Sequence, residues 1–196
     1  MITLASQSVA RAAMLHAAGV AFTSQAAHVD EDGVTAGLTA DQASPARIAD
    51  ALAELKAVKV ARRTAGLVLG ADTIVVTADG RLLAKPETRD RAAAQLRDLS
   101  GTIHRLVSAA VVAEAGHAVW RASDTAMLTM RPLTDAFIVD YLDREGDAVL
   151  GCVGTYRIEG LGAQLFTRVD GDQFTIRGLP LLAVLDYLRV RGELPA

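Results

Sequence analysis

The run from Leu67 to Val76 constrains this chain more than any other segment. It is the strongest β-type signal in the sequence, rich in Leu, Val and Ile, yet Gly70-Ala71-Asp72-Thr73 sits in its middle. Those four residues read as an interruption of the strand. An aspartate inside such a run requires a partner once buried, because an unpaired charge in apolar surroundings is costly. The segments around it alternate in type. Ile2 to Ala5 reads as a strand, Ser6-Gln7-Ser8 as a polar turn whose hydroxyls cap a helix over 9–18, and Gly19 as the helix stop. Val20 to Ala26 reads as a second strand, followed by an acidic loop, Asp30-Glu31-Asp32-Gly33. Ser44-Pro45 pairs an N-cap with a proline at the first helical position and opens a helix that runs to Arg63.

Asp79-Gly80 predicts a hairpin turn after the central strand, and Lys85-Pro86 a loop. Thr88 to Leu99 has Ala92, Leu96 and Leu99 at helical spacing, closed by Ser100-Gly101. Two long β-type runs, Ile103 to Ala113 and Ala118 to Met130, meet at Ala115-Gly116 in a hairpin, and Thr134 to Arg144 is a further capped helix. Glycines punctuate 151–178, and Pro180 starts a terminal helix that reaches Val190. Alternating strands and helices, followed by long antiparallel strands, predict an α/β fold: a twisted mixed β-sheet flanked by helices. No repeat, low-complexity tract or linker divides the sequence, so its 196 residues read as a single domain.

Composition narrows the function classes. With 51% hydrophobic and 22% charged residues the chain can bury a core, which sets disorder aside. Twenty basic against 23 acidic side chains give a net charge of -3, so no continuous basic face serves long nucleic acid, and 4% aromatics leave little for stacking bases. An anionic ligand must then be met by a local cluster. The single cysteine, Cys152, excludes an internal disulfide, points to a reducing compartment, the cytoplasm, and reads as a small buried hydrophobe. No signal-peptide order appears at the N-terminus, and the uncharged stretch 12–29 is too polar for a membrane span.

The common short motifs are missing. There is no phosphate-binding Gly-x-x-x-x-Gly-Lys-Ser/Thr and no Gly-x-Ser-x-Gly; Gly160-Leu161-Gly162 lacks the third glycine of a dinucleotide fingerprint. His16, His28, His104 and His117 are not at metal-ligand spacing and read as surface or satisfied side chains. What remains is polar residues at strand ends and in glycine-bearing turns. Ser6, Ser8 and Arg11 at a strand-to-helix turn can face one anion, or serve as a plain cap beside a solvated arginine. Glu31 and Asp72, if brought together, can hold Mg2+ and orient water, whereas Asp30 and Asp32 read as a polar turn. Lys56 and Lys85 can neutralise phosphates, although a helical lysine such as Lys56 is usually solvated; Pro86 stiffens the loop that presents Lys85. Asp30-Glu31-Asp32-Gly33-Val34 also fits the Asp-x-Asp signature resembling haloacid-dehalogenase-type phosphatases. That signature belongs after a β-branched strand, and 24–28 is no such strand.

Taken together, the segments resemble the Maf family of nucleotide pyrophosphatases, relatives of the inosine-triphosphate pyrophosphatases. The matching pieces are Leu4-Ala5-Ser6-Gln7-Ser8 with Arg11 and Leu15, Val29-Asp30-Glu31, Leu52-Ala53-Glu54-Leu55-Lys56-Ala57 and Leu69-Gly70-Ala71-Asp72-Thr73-Ile74-Val75. They continue with Ala84-Lys85-Pro86, 96–104, Tyr156-Arg157-Ile158-Glu159-Gly160-Leu161-Gly162, and 169–172 through Gly178-Leu179-Pro180-Leu181. Eight pieces fall in the right order over nearly the whole chain.

The resemblance implies two lobes around a cleft and hydrolysis of a nucleoside triphosphate between its α and β phosphates, with a divalent metal, Mg2+ or Mn2+. It implies Asp72 as general base or water-orienting group, Glu31 as its metal-binding partner, Lys56 and Lys85 as catalytic phosphate contacts, and Ser6, Ser8 and Arg11 as a phosphate-gripping turn. A homodimer is implied in the same way. The family's turn reads Ser-x-Ser-Pro-Arg-Arg, and Val9 and Ala10 stand here where the proline and first arginine belong. Thr73 resembles the subgroup acting on dTTP and UTP. Glu159 stands where that subgroup carries glutamine and the 7-methyl-GTP subgroup glutamate, so base preference is expected to depend on Glu159. The alternative is a nucleotide-binding regulator of cell division with little turnover, for which the missing arginine at Ala10 is the sequence support.

Overall fold

The sheet begins at one edge with short parallel strands and runs through two long strands to a short one at the other edge. A computed structural model describes residues 1–195. Its strands are β1 (Ile2–Leu4), β2 (Phe22–Ser24), β3 (Val68–Val76), β4 (Leu82–Leu83), β5 (Ile103–Glu114), β6 (His117–Met130) and β7 (Phe166–Asp170). They form one mixed sheet in the order β2-β1-β3-β5-β6-β7, with β4 pairing β3. β1 runs parallel to β2 and to β3, Leu4 lying opposite Ser24 on one side and Leu69 on the other. β3 and β4 are antiparallel, as are β6 and β7. The helices are α1 (Val9–Ala17), α2 (Glu31–Ala40), α3 (Pro45–Ala61), α4 (Arg89–Leu99), α5 (Asp135–Glu145), α6 (Gln173–Ile176) and α7 (Leu181–Val190). Among the described residues no helix is long and apolar enough to cross a membrane.

Helix starts follow the capping chemistry of the sequence. Ser8, Ser44, Thr88 and Thr134 each accept the backbone N–H three residues on, satisfying one of the open donors of a first turn. The tight turn at Ala115-Gly116 has both residues at positive φ, as a two-residue hairpin between right-twisted strands requires.

Three expectations need correction, and two elements were not foreseen. Gly70-Ala71-Asp72-Thr73 does not interrupt the strand: β3 is unbroken from Val68 to Val76. The acidic loop is instead a helix start, where the Asp30 carboxylate accepts from Gly33 N–H at 2.9 Å and α2 follows; its two glycines kept its helix propensity low. β7 and α6 lie in the glycine-punctuated region; β7, Phe-Thr-Arg-Val-Asp, carries no apolar alternation that would announce a strand. Cys152 is only partly buried.

The chain divides into two compact units. The first comprises Met1–Thr73, Val107–Asp124 and the chain from Arg177 onward; the second comprises Ile74–Leu106 and Thr125–Ile176. In the first, α1 buries Met14 and Leu15, and α3 buries Ile48, Leu52 and Val60, with Leu4 and Leu69 wholly enclosed. In the second, Leu96 and Leu99 of α4, Ile138 and Tyr141 of α5, and Leu128 and Met130 of β6 share one cluster.

Candidate active site

The site is built on β3. A Cβ placed on Gly70 would fall 2.2 Å from the Ala53 carbonyl oxygen and 2.7 Å from the Ala57 backbone nitrogen, so only glycine lets α3 rest on the strand here. Ala53 and Ala57 are wholly buried in that contact. Lys56, on the same stretch of helix, is thereby carried to Asp72 two residues along β3. Its Nζ donates to Asp72 Oδ1 at 2.5 Å and lies 2.9 Å from Glu31 Oε1. The Lys56 and Asp72 side chains are 8% and 9% exposed, and that of Glu31 is 41% exposed.

Glu31 arrives by a different route. Asp30 caps α2, which puts Glu31 in its first turn, and Lys59 of α3 donates its Nζ to the His28 carbonyl just upstream. Two carboxylates thus converge on one ammonium.

Beside them a second polar group forms around Arg11. Its Nε donates to the Gly178 carbonyl at 2.7 Å, Nη1 to Ser6 Oγ at 3.3 Å, and Nη2 to Thr73 Oγ1 at 3.2 Å. Thr73 Oγ1 and Ser108 Oγ are 2.9 Å apart. Ser6 Oγ also accepts from Ser8 N–H, and Ser8 Oγ caps α1. Burial lowers the basicity of the Arg11 guanidinium, while Asp72 and then Glu31 pull it the other way. Gly178, at φ +99, allows its carbonyl to face the guanidinium; a Cβ there would meet Arg11 Nε at 3.2 Å and Thr73 Oγ1 at 3.1 Å.

The first unit therefore gathers Ser6, Ser8, Arg11, Glu31, Lys56, Asp72 and Thr73. Lys85 and Glu159 belong to the second. Lys85 is exposed on the loop between β4 and α4, and Glu159 is exposed in the segment after α5. Both act on Cys152, whose thiol burial pushes up, with Glu159 adding to that shift and Lys85 opposing it.

Residues 1–191 match the Maf family, described as Maf-like protein. The chain belongs to the Maf family. A nucleoside triphosphate pyrophosphatase of Sphingopyxis alaskensis is 54% identical over 195 residues, spanning 99% of this chain and 98% of that protein. One of Caulobacter vibrioides is 50% identical over 193 residues, spanning 98% and 96%. A 7-methyl-GTP pyrophosphatase of Rhizobium meliloti is 45% identical over 197 residues, spanning 100% and 98%.

In this Maf chain, sequence reasoning missed two members of the Arg11 group, Ser108 and the Gly178 carbonyl. Ser108 is wholly buried. Its signal was present: a lone hydroxyl within the apolar stretch 106–113, the same kind of exception that drew attention to Asp72 in β3. The carbonyl leaves no side-chain signal.

Proposed function

We propose that this Maf protein hydrolyses nucleoside triphosphates between the α and β phosphates, releasing a monophosphate and pyrophosphate. The observation that carries the reading is the Glu31–Lys56–Asp72 cluster, set against β3 in a chain alike over nearly its full length to proteins named for this reaction. Water attacks the α phosphorus, its P–O bond forms, and pyrophosphate departs. Asp72 orients that water and accepts its proton; Lys56 and Lys85 meet the phosphate oxygens, and Ser6, Ser8 and Arg11 form the turn that holds the triphosphate.

The cofactor in this reading is Mg2+ or Mn2+. Glu31 and Asp72 supply hard oxygen donors within reach of one cation, which fits Mg2+, bound elsewhere through one or two carboxylates plus phosphates and water. Among the described residues no three His, Cys, Asp or Glu side chains gather around one point, so phosphates and water would supply the other ligands of such a cation. When bound, the cation offsets charge on the triphosphate.

The substrate in this reading is a noncanonical or pyrimidine nucleotide, dTTP- or UTP-like or 7-methyl-GTP, with Glu159 meeting the base edge. The protein works as one domain in the cytoplasm, as a homodimer, clearing surplus or damaged nucleotides. The test is pyrophosphate release with Mg2+ from dTTP, UTP, 7-methyl-GTP and pseudo-UTP. Turnover of at least one is expected, and Asp72→Asn, checked for folding by circular dichroism, lowers kcat by about 100-fold or more. No product from any of them overturns the reading, and tight nucleotide binding without product establishes the regulator instead.

A further inference from the structure

Glu145 ends α5 with its side chain 1% exposed. A carboxylate so deep requires donors, and it has three. Arg157 Nε and Nη2 bond Oε2 at 2.9 and 2.6 Å, and the Leu161 N–H bonds Oε1 at 3.0 Å. Those donors flank one tight turn. Gly160 N–H donates to the Arg157 carbonyl at 3.1 Å, closing 157–160, and Glu159 is the third residue of that turn, exposed at the surface. The turn has no slack. A Cβ on Gly162 would fall 2.4 Å from the Arg157 carbonyl oxygen, and one on Gly160 would fall 3.2 Å from Glu145 Oε1.

An exposed side chain discriminates between ligands only if the backbone beneath it is held, because ordering a loose turn on binding subtracts from affinity. Glu145 supplies that hold from inside the second unit, gripping the turn at Arg157 before Glu159 and at Leu161 after it. We infer that Glu145 is a positioning residue for nucleobase selection, clamping both ends of the 157–160 turn so that Glu159 meets the base in one geometry. The inference rests on the reading that Glu159 contacts the base, and its test separates the two.

Glu145→Gln keeps the size of the side chain but leaves one acceptor oxygen, so its NH2 must confront either Arg157 or the Leu161 N–H. Backbone hydrogen exchange at Gly160 and Leu161 is expected to quicken by about tenfold while amides of β5 keep their protection. With the best and second-best substrates among dTTP, UTP and 7-methyl-GTP, KM for the best should rise about tenfold while kcat stays within about threefold. The kcat/KM ratio between the two should fall to that of Glu159→Ala, and the double variant should lose no further discrimination. Should the Gln variant fail to fold, Glu145→Asp, one methylene too short to reach both ends, is read the same way. Unchanged exchange in a folded variant, or an unchanged ratio beside a collapsed one in Glu159→Ala, overturns the inference and leaves Glu159 as base reader. An unchanged ratio in Glu159→Ala overturns the base reading itself, and the inference falls with it.

Discussion

Lys56 joins packing to chemistry in a single side chain. It is a nearly buried ammonium between two carboxylates, and the pair it makes with Asp72 is enclosed. Lys56→Met keeps the stem's apolar contacts and removes the charge, leaving Glu31 and Asp72 without the ammonium between them. Stripping one partner from a buried pair costs about 3–5 kcal/mol, and urea unfolding should register a loss of that order. The same variant removes the ammonium that competes with a cation for the two carboxylates, so added Mg2+ should raise its melting temperature more than that of wild type. A Mg2+ response no larger than wild type would show that the two carboxylates do not share a metal. The need for a partner at Asp72 was legible as a charge in an apolar run. Which partner was not: Lys56 and Lys59 lie one turn apart on α3, and nothing in the periodicity says which of them turns inward. The structure sends Lys56 to Asp72 and Lys59 to the backbone of His28.

That choice is made by how closely α3 approaches β3. Gly70 lies against backbone atoms of Ala53 and Ala57, which cannot swing aside as a side-chain tip would. Gly70→Ala must therefore push the helix off the strand. Overpacking of this kind costs about 1–3 kcal/mol, and here it also carries Lys56 away from Asp72, so kcat should fall together with the melting temperature. A Gly70→Ala protein with wild-type kcat would show that the close approach is not what seats Lys56. Ser44→Ala provides the contrast: it removes the cap of the same helix at about 1 kcal/mol, a shift of about 2–4 °C, and should leave kcat unchanged. Elements announced by caps and two-residue turns were legible for this reason, since local chemistry alone decides them. α2 was not, because Gly33 and Gly37 dilute its helical signal and only the Asp30 cap betrays its start. β7 was hidden for a different reason: Phe166 and Val169 are three apart, and its other residues are polar and exposed, so no period-2 pattern marks it.

Across the whole molecule, the net charge of -3 says little about whether a small anion binds, because Arg11 and Lys56 are set in one polar centre of the first unit. Global stability is governed differently, and one source of its dependence on pH lies in the other unit. His104 of β5 is 1% exposed, with Nε2 2.8 Å from the Tyr156 hydroxyl and its ring packed against Tyr156 and Phe166. Burial lowers its pKa to about 4, and in the imidazolium, where both ring nitrogens carry a proton, the Nδ1–H has no acceptor among the described residues. In the unfolded chain the imidazole takes its proton near pH 6.5, so between about pH 6.5 and 4 the unfolded state binds more protons than the folded one. Stability is therefore complete above that window and falls as pH drops through it, by on the order of 3 kcal/mol by pH 4. His104→Phe keeps an aromatic ring in place and cannot titrate; it loses the Tyr156 hydrogen bond, a penalty that does not vary with pH over this range. Urea midpoints measured at pH 4.5, 5.5, 6.5 and 7.5 should decline more steeply in wild type than in His104→Phe, the two curves converging as pH falls. Parallel curves would mean that His104 accepts its proton in the folded protein as readily as in the unfolded chain.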